Sequence, residues 1–191
     1  MKVKFGISVL VLCAFVGSSE LAFAQDLFVG VGMNWEKLRQ NHSRSFTDTR
    51  SLPAKDISVQ WYAKKQVGLS YGYQWNIPPA IVERRSNGSV AQHFERKWQM
   101  HSGGLVYRFH EKQPIQPWAA GGFLLYKENF RHGRGEYAVD WRTYSTEGLW
   151  IGFGARVRVW KRFSIEPSAT VAVTATNSSK ATALKLVYQL H

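Results

Sequence analysis

Large apolar residues alternate with small or polar residues along most of the chain after its first 24 residues. The most regular segment places Leu27, Val29, Val31, Met33 and Trp35 on one face and Phe28, Gly30, Gly32, Asn34 and Glu36 on the other. A period of two predicts β-strands whose two faces meet different surroundings. The pattern recurs in later segments, and no helical pattern could cover it. The smaller, more polar face is therefore expected to point inward in a closed barrel within lipid.

The alternation divides the chain into eight predicted strands. The expected outward residues are Ile57, Val59, Trp61 and Ala63 in the second strand, and Val67, Leu69, Tyr71, Tyr73 and Trp75 in the third. In the sixth strand they are Leu149, Ile151, Phe153, Ala155, Val157 and Val159. In the seventh they are Phe163, Ile165, Pro167, Ala169, Val171, Val173 and Ala175, and in the eighth Leu184, Leu186, Tyr188 and Leu190. Turns after even strands are short and those after odd strands are mostly long, as in bacterial outer-membrane barrels. The predicted fold class is all-β: an eight-stranded antiparallel up-and-down transmembrane β-barrel after a cleaved signal peptide.

Two of the predicted strands are less regular. In the fourth, at about 97–109, Trp98 and Met100 share one parity and Leu105 and Tyr107 share the other, so a β-bulge at 103–104 is expected. In the fifth, the outward positions are expected to be Trp118, Ala120, Gly122, Leu124 and Tyr126. The segments 77–96 and 128–145 are predicted to be long loops because they carry turn-forming or mixed polar residues.

The first residues have the pattern of an export signal. Lys2 and Lys4 precede an apolar run at 5–18, and Ala22-Phe23-Ala24 forms a small-x-small cleavage site. The expected division is a signal peptide at 1–24 and an outer-membrane β-barrel domain at 25–191. The single cysteine, Cys13, lies in the leader, so the exported domain is expected to hold no disulfide and no cysteine metal site.

The net charge of +12 favours anionic partners. For an exported barrel these are outer-membrane lipid, the phosphates of lipopolysaccharide and acidic surface polymers, rather than nucleic acid. Candidate anion-binding residues in the predicted external loops are Arg39, Arg44, Arg50, Arg84, Arg85, Arg131 and Arg134. Aromatic residues lie between them, and arginine beside aromatics suits phosphate or sulfate groups next to sugar rings. The alternative is that these loops merely pack onto the barrel rim. The protein is expected to be a monomer.

One short motif carries a family resemblance. The run Pro117-Trp118-Ala119-Ala120-Gly121-Gly122-Phe123 resembles the Pro-aromatic-x-small-x-Gly opening of the small outer-membrane β-barrel family that includes OmpA-type and OmpX-type domains. By pattern, the resemblance extends over the whole exported domain and implies its fold. Members of that family usually end on an aromatic residue that the assembly machinery recognises, whereas here the alternating face ends on Leu190 and His191 follows.

The inward positions predict a polar plug, because the interior of an eight-stranded barrel is filled by side chains. Its expected members are Asp56, Gln60, Lys64, His101, Arg156, Arg158, Glu166 and Lys185. A tight turn centred on Lys161 places Arg156 opposite Glu166, which predicts an ion pair in the lumen. The alternative role for these groups is the passage of protons or ions.

Enzymatic and carrier functions are the rival interpretations. Some barrels of this size modify lipid A, but His101 and Ser102 are neighbours on one strand and point to opposite faces. The His-x-Ser-Asn type of segment found in lipid A deacylases is absent from the sequence. A soluble lipocalin-like carrier would need an apolar interior. No catalytic residue, metal site or cofactor is expected.

Overall fold

The computed structural model describes residues 26–40, 52–63, 65–76, 81–84, 90–110, 112–134, 137–138, 142–175 and 177–190. The expected signal peptide, at 1–24, lies outside these residues, as do Lys64 and three candidate anion-binding residues, Arg44, Arg50 and Arg85. No helix long and apolar enough to cross a bilayer occurs in the part of the chain that is described.

Antiparallel strands make up nearly all of the described chain. They are β1 Asp26–Gln40, β2 Leu52–Tyr62, β3 Val67–Asn76, β4 Ile81–Arg84, β5 Val90–Arg108, β6 Ile115–Arg134, β7 Tyr137–Ala138, β8 Arg142–Trp160, β9 Phe163–Thr174 and β10 Asn177–Gln189. Eight of them form the barrel wall, in the order β1-β2-β3-β5-β6-β8-β9-β10, and β1 pairs with β10 to close it. The short strands β4 and β7 pair with the ends of β5 and β6. The predicted eight-stranded antiparallel barrel is confirmed.

The register of the strands fixes the shape of the barrel. A path that starts at Phe28 and passes from each residue to its partner on the next strand goes once around the wall and returns to β1 at Leu38. The return point is ten residues further along the strand than the starting point. Eight strands with this stagger are tilted by roughly 35–45°, and they enclose an interior just wide enough for side chains to fill. A row of paired residues therefore climbs steadily as it passes from β1 towards β10.

The two ends of the barrel differ. We call the end that holds Asp26, Gln189 and the turns 63–66, 109–114 and 161–162 the short-turn end, and the opposite one the outer end. Short turns lie on the periplasmic side of such barrels, so the outer end faces the exterior.

The exposed faces of most strands agree with the predicted alternation. Val31, Ile57, Leu69, Ile151, Phe153, Val173 and Leu186 are exposed on the outer wall. Phe28, Asn34, Asp56, Gln60, Gln74, Ser164, Glu166 and Val187 are buried within the lumen. This confirms the outward faces of the first, second, third, sixth, seventh and eighth predicted strands.

The predicted orientation of the fifth strand is wrong. In β6, Trp118, Leu124 and Tyr126 are buried in the lumen, whereas Phe123 is 76% exposed on the outer wall. Both parities of this segment are apolar, so alternation alone could not distinguish its faces. Glycine on the adjacent strand makes room for the indole: a Cβ added at Gly154 would lie 2.8 Å from Cζ2 of Trp118.

The predicted bulge in the fourth strand is also absent. β5 keeps one register with β3 from Gln99 to Tyr107, and Trp98 and Met100 point into the lumen on the same parity as Val106. An inward apolar pair, rather than a change of phase, explains the sequence pattern. As a consequence His101, which was expected in the lumen, lies on the outer wall.

The strands extend further towards the exterior than predicted. Much of the expected loops at 77–96 and 128–145 consists of strand: β4, the first part of β5, the last part of β6, β7 and the first part of β8. These extensions pair with each other in register, so backbone hydrogen bonding continues past the segments with clear apolar alternation.

Candidate functional site

The lower lumen contains a buried ion pair. Nη2 of Arg156 donates to Oε2 of Glu166 at 2.8 Å and to Oε1 of Gln60 at 2.7 Å. Its guanidinium lies over the ring of Phe28, with Cζ 3.7 Å from the centroid. Arg156 and Glu166 are 3% and 1% exposed. A desolvated pair of this kind is stable only with such additional partners, so this group links β1, β2, β8 and β9.

A second ion pair closes the short-turn end. Nη2 of Arg108 donates to Oδ2 of Asp26 at 2.7 Å and to the carbonyl oxygen of Lys65 at 2.6 Å. Its guanidinium also lies 4.3 Å from the ring centroid of Tyr62. Gln189 donates to the other carboxylate oxygen of Asp26 at 2.7 Å. These contacts fasten the first and last strands to β5 at the position where the barrel closes.

The middle of the lumen is polar and partly hollow. Nζ of Lys185 lies 3.1 Å from Oδ1 of Asp56, and Nε2 of Gln74 donates to Oδ2 of the same carboxylate at 2.8 Å. The cavity beside them has a volume of about 40 Å³. Hydroxyl groups on its wall belong to Ser58, Ser70, Ser102, Ser168 and Thr170. This space suits a few water molecules, and it is far below the roughly 300 Å³ of a small-molecule pocket.

Apolar side chains close the lumen above this cavity. We call them the apolar cap: Ala54, Trp98, Met100, Leu124, Tyr126, Trp150 and Ala172. Each is at most 6% exposed, and the rings of Trp98 and Tyr126 stack with centroids 6.1 Å apart. Nε1 of Trp150 donates to the carbonyl oxygen of Gly103 at 3.2 Å. A second buried apolar cluster, Phe28, Tyr62, Val106, Trp118 and Val187, lies beside the two ion pairs nearer the short-turn end. The lumen is therefore a mixture of apolar and polar side chains rather than polar throughout as the sequence suggested.

Two expected members of the lumen plug do not lie there. His101 is on the outer wall, where its Nδ1 lies 2.8 Å from the hydroxyl oxygen of Tyr71. Arg158 has inward parity but is exposed at the short-turn end. Lys64 lies outside the described residues. The apolar cap, by contrast, was missed because the strand that supplies Leu124 and Tyr126 was assigned the opposite orientation.

The geometry brings no catalytic group together at Ser102. Its hydroxyl points inward and donates to the carbonyl oxygen of Gly72 at 3.4 Å, while His101 points outward. Among the described residues, no three histidine, cysteine, aspartate or glutamate side chains are grouped as metal ligands.

Aromatic residues ring the outer wall at the short-turn end. Tyr107 and Phe109 meet edge to face with centroids 5.0 Å apart, and Phe163 contacts both Trp160 and Tyr188. Nearer the outer end, Tyr73 and Trp75 stack with centroids 5.0 Å apart. Aromatic residues at these two levels are typical of the two membrane interfaces.

Four of the candidate anion-binding arginines lie on strands rather than in loops. Arg39 lies on β1, Arg84 on β4, and Arg131 and Arg134 on β6, all towards the outer end. Arg131 pairs in register with Glu95, and Arg134 with Gln92. The expectation that these arginines belong to loops is therefore wrong for the four that are described. Strand extension carries them beyond the apolar band on paired backbone.

Comparison with solved structures gives small outer-membrane barrels. Ail of Yersinia pestis, in complex with the heparin analogue sucrose octasulfate, matches with a TM-score of 0.60 at 14% identity, over 86% of this chain and 98% of Ail. A major outer membrane protein from Thermus thermophilus matches with a TM-score of 0.58 at 10% identity, over 86% and 98% of the two chains. Neisserial surface protein A matches with a TM-score of 0.55 at 10% identity, over 85% of this chain and 96% of that protein.

Structural similarity at such low sequence identities shows that these proteins share a fold. No protein-family model and no curated protein matches the sequence. A closed barrel with an apolar outer wall and aromatic residues towards both edges of that wall is the architecture of an outer-membrane protein. The chain is an integral outer-membrane β-barrel of the small eight-stranded type.

Proposed function

We propose that this protein is a sealed surface barrel whose outer end binds anionic polysaccharide or glycolipid. The observation that carries the proposal is the placement of Arg39, Arg84, Arg131 and Arg134 on strand extensions at the outer end. Backbone positions on paired strands keep a fixed spacing, which reduces the entropy lost when a repeating anion binds. The residues proposed to bind are Arg39, Arg44, Arg50, Arg84, Arg85, Arg131 and Arg134.

The filled lumen supports this role over transport. The Arg156 and Arg108 ion pairs occupy the lower lumen and the apolar cap closes the upper part, so the barrel serves as an anchor. The small central cavity likewise disfavours a carrier of lipophilic ligands. The proposal includes export by a cleaved signal peptide at 1–24 and function as a monomer.

The structurally similar Ail binds a heparin analogue, and the chemistry of that ligand supports the proposal. Sucrose octasulfate is a compact sugar carrying many sulfate groups, and arginine binds such oxyanions through paired N–H donors. The present chain has a net charge of +12, so its overall electrostatic field, like the proposed site, favours a sulfated or phosphorylated polymer.

Heparin binding to the full chain in phospholipid nanodiscs tests the proposal. The variant R39Q/R131Q/R134Q removes three cations at the outer end. The matched control, K65Q/K112Q/R162Q, removes three exposed cations at the short-turn end. Wild type and control should bind alike and weaken steeply with salt, because exposed charges are screened over about 8–10 Å near physiological ionic strength.

The outer-end variant should lose binding while keeping its folded gel mobility. Equal binding by the two triple variants would contradict the proposal. Release of acyl chains from lipid A by the purified wild type would favour the enzymatic alternative instead.

A further inference from the structure

The level of each residue on the outer wall follows from the strand registers. A path of paired residues climbs ten residues in one circuit of the barrel, so each step from β1 towards β10 raises it by about one and a quarter residues. Val59 on β2 lies on the path through Phe123 on β6, three steps away. Val59 is therefore about four residues lower than Phe123. Lys55, further up β2, lies at the level of Phe123.

At this level the outer wall has two unlike flanks. On β6, β8 and β9 the outward residues within about one residue of it are apolar, and we call them the apolar flank: Phe123, Ile151 and Val171. On the other strands they are mostly polar or amphipathic, and we call them the polar flank: Thr182, Trp35, Lys55, Tyr73 and His101. Phe123 and Ile151 are 76% and 65% exposed, and Lys55 and Thr182 are also exposed.

The apolar wall ends lower on the polar flank. About two residues above Phe123, the apolar flank still presents Leu125, which is 56% exposed. The polar flank presents Lys180 at that height, and it becomes aliphatic only at Leu184 and Ile57, which are 50% and 40% exposed. The upper edges of the two flanks thus differ by about four residues. For strands that rise about 3.3 Å per residue at a tilt near 40°, this is about 10 Å in height.

The lower edges of the two flanks agree. Ile115 on the apolar flank, and Leu190 and Phe109 on the polar flank, lie about seven to eight residues below Phe123, and all three are exposed. The apolar wall is therefore about 25 Å tall on the apolar flank and about 15 Å tall on the polar flank. The first height is that of the usual outer-membrane band. A tilt of the whole barrel raises both edges of one flank together, so it cannot remove this difference.

The polar groups of the polar flank are held against the wall. Nδ1 of His101 lies 2.8 Å from the hydroxyl oxygen of Tyr71, and the hydroxyl of Tyr73 donates to Oε1 of Gln99 at 3.1 Å. Long lysine side chains can extend along the wall towards the headgroups. The hydroxyl of Thr182 and the ring groups cannot, because their side chains are too short.

Two tryptophans mark the headgroup level on the polar flank. Trp35 and Trp75 lie about one residue above Lys55; Trp35 is 42% exposed, and Trp75 stacks on Tyr73 with centroids 5.0 Å apart. Tryptophan and tyrosine are enriched at membrane–water interfaces. At the same height the apolar flank presents Leu149, which is 59% exposed and lies between other aliphatic residues.

We propose that the polar flank is a membrane-thinning surface, which draws the outer leaflet down by about 10 Å beside β10, β1, β2, β3 and β5. A bilayer accommodates a short apolar wall by thinning locally. Acyl chains beside this flank are consequently less ordered than those beside the apolar flank. The surface uses no residue of the proposed polysaccharide site, so either proposal can fail without the other.

The depth of labels at one level of the barrel tests this inference. The full chain with Cys13→Ser receives a single cysteine by Phe123→Cys or Thr182→Cys, carries a nitrobenzoxadiazole label there, and is refolded in phosphatidylcholine nanodiscs. Aqueous dithionite reduces labels in water, and a nitroxide at mid-chain of the lipid quenches labels in hydrocarbon. A label at Lys65→Cys reports the short-turn end of the polar flank. Folding is checked by gel mobility before and after heating.

The label at position 123 should be quenched by the nitroxide lipid, whereas that at position 182 should be reduced by dithionite. The Lys65→Cys label should also be reduced. Equal quenching at positions 123 and 182 would overturn the proposal, because the leaflet would then be uniform and the lysines would extend to its surface. Quenching at position 65 would overturn it in favour of a tilted barrel.

Extending the apolar wall tests the cause. K55L/K180L removes the two lysines of the polar side of the wall, and the label at position 182 should then become quenched by the nitroxide lipid. The matched control, K97L/K127L, removes two exposed lysines that lie about four to five residues above Phe123, and it should leave that label in water. The same dithionite reduction of the label in both double variants would contradict the role given to Lys55 and Lys180.

Discussion

Replacing Glu166 with leucine while keeping Arg156 leaves a guanidinium in the lower lumen without its carboxylate. Arg156 is 3% exposed, so bulk water cannot solvate the lone cation. Loss of one partner from a buried pair costs about 3–5 kcal/mol. Gln60 at 2.7 Å and the ring of Phe28 at 3.7 Å remain as partners of the guanidinium. We therefore expect E166L to lower the free energy of unfolding by about 3 kcal/mol, at the lower end of this range.

The double variant R156M/E166L provides the matched comparison. It removes both charges and fills the site with apolar side chains of similar length, a change that is often neutral for buried pairs. Only one hydrogen bond joins the two side chains, since Nε of Arg156 and Oε1 of Glu166 have no partner among the described residues. The double variant should therefore be more stable than E166L. Urea unfolding in phospholipid vesicles, followed by tryptophan fluorescence, measures both; a double variant less stable than E166L would refute the reasoning.

Two further experiments test the wall of the barrel. Phe123→Arg places a cation on the lipid-facing side of β6 and should cost about 2–4 kcal/mol near the midplane; urea unfolding in vesicles checks this, and a neutral result would contradict the outward placement of Phe123. Gly104→Ala should reduce the fraction that refolds, because its Cβ would clash with the carbonyl oxygen of Gly121. At the neighbouring Gly103 an added Cβ meets nothing within 4 Å, so Gly103→Ala should refold normally; equal refolding yields for the two variants would argue against the close approach of β5 and β6.

Period-two alternation predicted the strands whose two faces differ in polarity. β1, β3 and β8 follow this rule, since each exposes large apolar residues to lipid and turns mainly glycine or polar residues inward, with Phe28 and Trp150 as exceptions. The rule failed for β6, in which Trp118 and Phe123 lie on opposite faces of a segment that is apolar on both. Only the packing of Trp118 against Gly154 on the adjacent strand decides which face points inward, and that contact is not visible in either segment alone.

The candidate sites were predictable to different degrees. The positions of Arg156 and Glu166 follow from inward parity and a tight turn, which are local properties of the chain. The apolar cap was not predicted, because it depends on the phase of β5 and on the orientation of β6 beside it. His101 illustrates the same point: its polarity suggested the lumen, whereas Tyr71 and Tyr73 on β3 provide polar and aromatic contacts on the outer wall.

Fractionation of cells that produce the full chain tests the central claim that this protein spans the outer membrane as a closed barrel. The account predicts that the protein stays in the outer-membrane fraction after a carbonate wash and migrates faster on a gel before heating than after it. The exposed apolar wall, which includes Phe123, Ile151 and Phe153, requires lipid or detergent for this folded state. Recovery of a folded, soluble monomer without detergent would contradict the account.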